Sequence, residues 1–216
     1  MQGPLVGSVV VPDLDVERIV EVALAVCDDR GADGLTMRAV ADELGVTPMA
    51  LYRHVKDKTD LVGLLFEAVL HEEPLPAPTG DWPEDLWAMA RWLRAVTRRH
   101  PAVSELRRSH QVWTPSVLPM TEQWFSLWQL SGLPFELAIQ AGSMSSLALI
   151  GVVEEELAFE RMRRPADDAL GTSPNARVAF QQQSDPDERF ETIVRALIDG
   201  LHARLSALAS SVARVS

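Results

Sequence analysis

The groups best suited to bind a charged polymer are concentrated in one stretch of seven residues, 52–58. It holds the only tyrosine of the chain and its only two lysines, with an arginine and a histidine between them: Tyr52, Arg53, His54, Lys56 and Lys58. A phenol hydroxyl, a guanidinium and an ammonium group each donate hydrogen bonds to phosphate oxygens. These residue types at this spacing therefore predict contact with a phosphate backbone.

The overall charge of the chain is acidic, which at first disfavours a nucleic-acid partner. The formal net charge is −11, whereas proteins that bind DNA usually present a basic surface. The charge is not spread evenly, however, because Asp57 is the only acid within residues 52–58 and the rest of the chain carries the excess of acids. A local basic site on an acidic body remains compatible with DNA binding.

Residues 36–55 show the spacing of two short helices joined by a tight turn. Thr36 is placed to cap a helix that Gly45 ends. Thr47 is placed to cap the next helix, with Pro48 at its first position, where a missing N–H group costs nothing. The pattern predicts a helix-turn-helix, whose second helix, over residues 48–54, enters the major groove of DNA. A plain helical hairpin inside an all-α core is the alternative interpretation.

The rest of the sequence also has helical periodicity. Asp15 and Asp57 are placed to cap the first and the fourth helix, and apolar residues at helical spacing follow each of them. No segment alternates with the period of two that a half-buried strand requires. Further helices are predicted over residues 82–99, 102–109, 116–131, 134–163 and 187–211. The expected fold class is therefore all-α.

The run from Leu35 to Lys58, LTMRAVADELGVTPMALYRHVKDK, closely resembles the DNA-binding domain of the tetracycline-repressor (TetR) family. The matching motifs are Gly45-Val46, Leu51-Tyr52, His54-Val55 and Lys58. The resemblance is specific over residues 14–70 and weaker beyond them. It implies an N-terminal three-helix helix-turn-helix domain, followed by a C-terminal helical domain that binds a ligand and forms a dimer.

The resemblance also implies a role for each polar residue of the helix-turn-helix. Three residues are expected to contact phosphates: Thr36, Tyr52 and Lys58. Five residues are expected to face bases or their flanking phosphates: Arg38, Thr47, Pro48, Met49 and Arg53. His54 is expected near the DNA backbone. Because Pro48 and Met49 have no strong hydrogen-bonding side chains, base reading would depend on Arg38, Thr47 and Arg53, with apolar contact to thymine methyl groups.

The expected domain organisation follows from these elements. Residues 1–13 are predicted to be a disordered arm, and residues 14–58 are predicted to be the DNA-binding domain. Residues 59–216 are predicted to form the ligand-binding and dimerisation domain, entered through a linker helix over 58–73. The proline-rich and polar stretch 164–186 is predicted to be a flexible loop with at most one short helical turn.

All six tryptophans lie between residues 82 and 128, which suggests a large aromatic cavity in the second domain. The candidate ligand-binding residues are Trp87, Met89, Trp92, His110, Trp113, Met120, Trp124, Trp128 and Met144. The alternative is that the tryptophans only fill the hydrophobic core. No histidine aligns clearly with the magnesium-binding position of tetracycline-binding members. Neither tetracycline nor a metal ion or other cofactor is therefore predicted. The expected ligand is a mainly apolar or aromatic small molecule, for which a positive charge is an option because the body of the chain is acidic.

Two long helices, over 134–163 and 187–211, are predicted to form a four-helix dimer interface with a second copy of the chain. An intramolecular bundle is the alternative. The last helix carries an apolar stripe of Ile193, Leu197, Leu201, Leu205 and Leu208. The three glutamates 154–156 are expected to form a solvated helix face. Polar residues interrupt the first long helix, so a membrane-spanning hairpin is not predicted.

The combined interpretation is a ligand-responsive transcriptional regulator, with a homodimeric repressor of a palindromic operator as the favoured form. An activator, or a regulator that needs its ligand to bind DNA, remains open. A protein-interaction module without DNA function is a further alternative. An enzyme is not expected, because no convergent acid, base or metal-binding set is present. One cysteine, Cys27, excludes a disulfide framework, and the N-terminus has no secretion-signal pattern, so a cytoplasmic location is expected.

Overall fold

A computed structural model describes residues 14–161, 173–181 and 185–212, and every regular element within them is helical. Ten α-helices follow one another along the described chain: α1 (Val16–Gly34), α2 (Met37–Leu44), α3 (Pro48–Leu51), α4 (Lys58–His71), α5 (Trp82–Arg99), α6 (Pro101–Ser109), α7 (Leu118–Gln129), α8 (Phe135–Arg161), α9 (Pro174–Gln181) and α10 (Pro186–Val212). A short 3-10 turn, Pro115–Val117, precedes α7. The all-α expectation is confirmed.

The helix boundaries agree with the sequence patterns to within a few residues, except in one stretch. The predicted loop over 164–186 contains the helix α9, Pro174–Gln181, which is longer than the one short helical turn expected there. Pro174 stands at the first position of α9, where its missing N–H group costs no hydrogen bond. The other parts of the predicted loop, 164–172 and 182–184, and the predicted arm, 1–13, lie outside the described residues.

The chain divides into two compact units at positions that differ from the expected boundary after residue 58. The first unit contains residues up to Val69 together with Ala102–Thr114, and the second contains Leu70–Pro101 and the chain from Pro115 onwards. The first boundary therefore lies inside α4. The helix α6 belongs to the first unit, although it follows α5 of the second unit directly in sequence.

The first unit has a small aliphatic core beneath the helix-turn-helix. Leu35, Val40, Leu51 and Leu61 are completely buried, and they come from α2, α3, α4 and the segment that leads into α2. The same core includes Cys27 of α1, and burial raises the pKa of its thiol to about 11. A thiol with so high a pKa is a poor nucleophile.

The second unit is a helical bundle in which α8 packs between α7 and α10, and α5 packs against all three. Gly142 on α8 permits the closest approach, because a Cβ atom there would lie 2.7 Å from Phe125 of α7. Trp128 is completely buried within this bundle. On α10 the buried residues are Phe190, Val194, Ile198 and Leu205, whereas Ile193 and Leu208 of the predicted stripe are exposed.

By length and composition alone, α8 is the one helix in the described part of the chain that could cross a membrane. Core helices of water-soluble proteins pass the same test, and α8 buries Ala138, Ala141 and Leu149 against its neighbours. Near its C-terminal end Glu156 is buried in an ion pair with Arg94 of α5. The expectation that residues 154–156 form a solvated face is therefore wrong at Glu156.

Candidate functional site

The helix-turn-helix is built by short-range hydrogen bonds that the sequence specifies. The hydroxyl of Thr36 accepts a hydrogen bond from the backbone N–H of Ala39 at 3.0 Å, which caps α2. The hydroxyl of Thr47 accepts from the N–H of Ala50 at 3.3 Å, which caps α3. Between the helices, Gly45 adopts the left-handed conformation with φ of 69°, where a side chain would be strained. Both caps and the turn agree with the prediction.

The second helix of the motif is shorter than the expected span of 48–54. The helix α3 ends at Leu51, and residues 52–54 continue as hydrogen-bonded turns, with the His54 N–H donating to the carbonyl of Leu51 at 2.9 Å. Leu51 is completely buried and Val55 nearly so. These two anchors fix the orientation of the intervening residues, because the side chains between them must then project outwards.

The outward face of this motif carries most of the predicted DNA-binding residues. Met49 is 72% exposed and Tyr52 is 48% exposed, although both are large side chains that a protein core normally buries. Pro48, Arg53 and His54 are also exposed. The structure thus brings two apolar, one phenolic and two nitrogen-bearing side chains onto a short solvent-facing segment.

The flanking elements add the remaining candidates. Arg38 on α2 is exposed, and its Nε atom lies 3.7 Å from a carboxylate oxygen of Asp42 one turn later. Lys58 begins α4 and is half-buried. The backbone N–H of Asp60 in that first turn already donates to the carboxylate of Asp57 at 2.9 Å. Lys58 therefore places a positive charge at the start of a helix that an acid, Asp57, caps.

Four of the predicted ligand-binding residues line one cavity of about 140 Å³ in the second unit: Met89, Trp92, Met120 and Trp124. We call it the tryptophan cavity. Its other walls were not recognised from the sequence: Leu93, Thr121, Phe125, Ser146, Leu149 and Ile150. The sequence gives no signal for these six, because two hydroxyl residues and four common core residues show no distinctive spacing. The cavity draws on α5, α7 and α8.

Trp128 and Trp124 lie one turn apart on α7, and their indole N–H groups meet at a single hydroxyl. The Nε1 atoms of Trp124 and Trp128 donate to the Ser145 Oγ atom at 3.1 and 2.9 Å. Ser145 is completely buried and donates its own hydrogen to the carbonyl of Ala141 at 2.6 Å. Trp128 is thus a core residue that holds α7 against α8, as the alternative interpretation of the tryptophans supposed for all six.

The other four predicted ligand-binding residues line neither the tryptophan cavity nor the second cavity, which shares Trp92 and Met120 with it. Trp113 is 65% exposed, and Met144 on α8 is 51% exposed. His110 lies in the first unit, where its Nδ1 atom is 3.1 Å from the carbonyl oxygen of Leu106. Trp87 packs against Phe190 with 5.7 Å between the ring centroids. The structure therefore separates these residues from the cavity rather than gathering all nine.

A second cavity of about 190 Å³ shares Trp92 and Met120 with the tryptophan cavity. Its lining is more polar, with His71, Glu73 and Ser116 among the contributors. The indole N–H of Trp92 donates to the backbone carbonyl of Glu73 at 3.3 Å, so the tryptophan ring forms part of the wall between the two spaces. Within the described residues, no group of three or more histidine, cysteine or acidic side chains is arranged to hold a metal ion.

The helices α8 and α10 leave a wide apolar groove of about 560 Å³ at the surface of the second unit. Phe159 and Ile193 line it from opposite sides. Several other large apolar side chains of the two helices are also exposed: Met144, Leu147, Ile150, Leu208 and Val212. Exposed apolar surface on this scale usually marks a site where another molecule binds.

Comparison with known families agrees with the resemblance noted in the sequence. Residues 19–65 match the family described as bacterial regulatory proteins, tetR family, and residues 73–205 match the tetracyclin repressor-like C-terminal domain. Proteins of this family are transcriptional regulators rather than enzymes, as expected.

Individual relatives support the same assignment. The chain is 34% identical over 155 residues to the HTH-type transcriptional repressor DrrR1 of Streptomyces coeruleorubidus, which covers 71% of this chain and 57% of that protein. It is 30% identical to the class D tetracycline repressor protein of Escherichia coli, over 90% of this chain and 92% of the repressor. The match thus spans little more than half of DrrR1 but nearly all of the tetracycline repressor.

The fold is also similar to solved structures. The TetR family protein ActR of Streptomyces coelicolor, crystallised in complex with actinorhodin, superposes with a TM-score of 0.72 and 29% sequence identity. That alignment covers 90% of this chain and 98% of ActR. The similarity therefore includes both the helix-turn-helix and the helical C-terminal region.

Proposed function

Because the chain belongs to the TetR family of bacterial regulatory proteins, we propose that it is a cytoplasmic, homodimeric repressor of transcription. In this proposal it binds a palindromic operator and leaves it when a small apolar or aromatic molecule binds the second unit. The observation that carries the proposal is the solvent-facing segment around α3, where Met49, Tyr52 and Arg53 are exposed above the buried anchors Leu51 and Val55.

The DNA contacts divide into positioning and reading groups. Tyr52, Lys58 and Thr36 would contact phosphates and so fix the register of the protein on the duplex. The bases would be read by Arg38, Thr47 and Arg53, which can hydrogen-bond to base edges, and by apolar contacts from Pro48 and Met49 to thymine methyl groups. His54 would lie near the DNA backbone. Thr36 and Thr47 would bind DNA through the remaining lone pair or the hydrogen of the hydroxyl, because each hydroxyl already accepts a capping hydrogen bond.

The proposed dimer uses the long helices of the second unit. Leu147 of α8 is 72% exposed, and Gly151 and Gly200 leave the backbones of α8 and α10 open to a close neighbour. A second copy of the same two helices would cover these apolar side chains in a four-helix arrangement. Two helix-turn-helix motifs related by a twofold axis would then occupy successive major grooves of a palindrome.

The proposed release requires that the ligand bind more tightly to a form of the dimer that does not fit the operator. A ligand with equal affinity for both forms would shift nothing. The tryptophan cavity supplies the concave, mainly apolar space that such a ligand needs. The related ActR is known with actinorhodin bound, which supports a small-molecule ligand for this chain as well.

The test is a footprint of the purified protein on the DNA upstream of its own gene, repeated over a series of salt concentrations. A protected palindrome whose occupancy falls steeply with salt is the expected result, because phosphate contacts release counterions. Absence of protection at low salt would contradict an autoregulating repressor. A site that is protected only when ligand is added would instead favour the regulator that needs its ligand.

Variants separate DNA binding from an interaction module. Replacing Tyr52 and Lys58 with alanine is expected to weaken binding to all sequences and to flatten the salt dependence. Arg91→Ala is the matched control, since it removes one exposed positive charge from the second unit. Equal affinity of the double variant and the control for DNA would contradict the proposed interface.

A further inference from the structure

The tryptophan cavity combines an aromatic lining with an unusual lack of charge. Its ten lining residues, all between positions 89 and 150 of the described chain, include no acidic or basic side chain. The only polar side chains besides the indoles are the hydroxyls of Thr121, which is exposed at the rim, and Ser146, which is half-buried. An ionised ligand would lose its hydration here without gaining a counter-charge, which costs several kcal/mol.

The hydrogen-bond donors of the lining are already in use. The Thr121 hydroxyl donates to the backbone carbonyl of Val117 at 2.9 Å, and the Ser146 hydroxyl donates to the carbonyl of Ser143 at 3.0 Å. A carbonyl oxygen has no hydrogen, so in each pair the hydroxyl must be the donor. What both hydroxyls can offer a ligand is therefore their free lone pairs.

The two indole N–H groups are committed in the same way. Trp124 donates to Ser145 Oγ and to the carbonyl of Gly142, each at 3.1 Å. Trp92 donates to the carbonyl of Glu73 at 3.3 Å. With these groups satisfied, the side chains that line the cavity can accept hydrogen bonds from a ligand but have none to donate.

The volume limits what can enter. An apolar cavity of about 150 Å³ in another protein stays dry and binds benzene. The tryptophan cavity, at about 140 Å³, is thus large enough for one six-membered ring. The flat indole and phenyl groups of Trp92, Trp124 and Phe125 provide aromatic surfaces for such a ring.

We infer that the tryptophan cavity binds an uncharged aromatic ring that carries a hydrogen-bond donor, with a phenol as the simplest example. Thr121 and Ser146 are the acceptors that select for the donor. This inference rests on the proposed function at one point only. If ligand-controlled release is correct, the aromatic ring is part of the effector. The chemistry of the cavity is independent of that role.

The probes are phenol, toluene, benzoate and benzylammonium, titrated into the purified full-length protein at pH 7 and followed by ligand-observed NMR. Phenol and toluene have nearly the same shape, and in a purely apolar cavity toluene binds more tightly because burying an unpaired hydroxyl is costly. Here phenol is expected to bind at least as tightly as toluene, and both ions about tenfold more weakly or worse. Tighter binding of toluene or of either ion than of phenol would overturn the inference.

The acceptors are tested by the double variant Thr121→Val, Ser146→Ala. Loss of both acceptors is expected to weaken phenol binding about tenfold and to leave toluene binding unchanged or slightly stronger. Thr121→Ser is the matched control and should bind phenol as the wild type does. Unchanged phenol binding in the double variant would contradict the role of the two hydroxyls, and retained toluene binding shows that the variant is folded.

Failure of the proposed function leaves a different signature from failure of this inference. The binding titrations contain no DNA, so they decide the chemistry of the cavity alone. Operator release is measured separately in the footprint, with larger phenols that are first selected by binding. Phenol selectivity without any release by such compounds would uphold the cavity chemistry and contradict ligand-controlled repression.

Discussion

In the first unit, the candidate DNA-contacting side chains all come from residues 36–58, and most of them stand in solvent. In the second unit, the walls of the tryptophan cavity come from α5, α7 and α8, which are separated by tens of residues in sequence. In the first unit the helix caps are short local hydrogen bonds, and the ion pair between Arg30 and Glu43 is exposed. In the second unit, polar groups such as Ser145 and Glu156 are buried and hydrogen-bonded to helices that are distant in sequence.

The difference teaches what each region can tolerate. An exposed side chain such as Arg38 or Tyr52 can be exchanged at little cost to folding, because nothing is left unsatisfied when it is removed. A buried polar group is different, since its partner loses a hydrogen bond that water cannot replace. We therefore expect substitutions of exposed side chains in the first unit that cap no helix to change DNA binding at constant stability. Substitutions of buried polar groups in the second unit should change stability first.

Among substitutions of buried polar groups in the second unit, Glu156→Ala is expected to have the largest effect on stability. The carboxylate of Glu156 accepts from the Arg94 guanidinium at 2.7 Å, and the side chain of Arg94 is only 13% exposed. Removal leaves a largely buried cation with Asp187 as its remaining acidic partner. The free energy of unfolding in urea should fall by about 3 kcal/mol.

The control for this prediction is Glu160→Ala, which removes a partly exposed ion pair with Arg98 in the same region. That change should cost less than about 1 kcal/mol. Equal losses for the two variants would mean that burial does not set the cost of polar substitutions in the second unit.

A smaller effect is expected for Ser145→Ala. Trp128 would lose its acceptor, and Trp124 would keep only the carbonyl of Gly142. The free energy of unfolding should fall by about 2 kcal/mol, measured by urea titration. Ser143→Ala, at an exposed position on the same helix, should change it by less than about 0.5 kcal/mol. Equal stability of the Ser145→Ala and Ser143→Ala variants would show that the Ser145 hydroxyl does not help to join α7 to α8.

In the first unit, Arg38→Ala and Lys58→Ala should leave the urea midpoint unchanged and alter DNA binding in different ways. Loss of the Lys58 ammonium should weaken all sequences several-fold and reduce the salt slope by about one. Loss of the Arg38 guanidinium should cost about 1–3 kcal/mol on the operator and relax the preference for one base pair. The measurement is a set of DNA titrations on the operator and on single-base variants. Identical behaviour of the two variants would argue against separate positioning and reading groups.

The smallest expected effect is a change in acid sensitivity at Asp85. Burial alone would raise the pKa of Asp85, but hydrogen bonds from Thr79 and the backbone of Gly80 outweigh it and lower the pKa below the usual 3.8. A lowered pKa in the folded state adds stability above pH 3.8, and this stability is lost as the pH falls through the folded-state value.

Asp85→Asn should therefore reduce the free energy of unfolding at pH 7 more than it does at low pH. Urea titrations of wild type and variant between pH 7 and pH 3 measure the difference. A difference between the two proteins that grows towards low pH would have the wrong sign and would contradict the role of the three donated hydrogen bonds to the carboxylate.

Much of the first unit could be predicted from the sequence because its structure is local. A threonine three residues before the N–H that it caps, a glycine at a left-handed turn and a proline at a first helical position all act within one or two turns of the chain. The exposed face of α3 follows from the same short spacing. The end of α3 was placed three residues too late, since turn residues 52–54 keep helix-like hydrogen bonds without forming a helix.

The second unit shows what only the tertiary structure decided. The sequence determined that its long helices exist and that tryptophans are concentrated in this unit, but five of the nine proposed ligand-binding residues line no part of the tryptophan cavity. Which face of α7 meets α8 decides whether a tryptophan fills the core like Trp128 or lines a cavity like Trp124, and this depends on helices far apart in the chain. The same is true of Glu156, whose burial depends on Arg94 being brought to it from 62 residues away. Local hydrogen bonds are determined by neighbouring residues, whereas burial depends on which distant helix packs against each face.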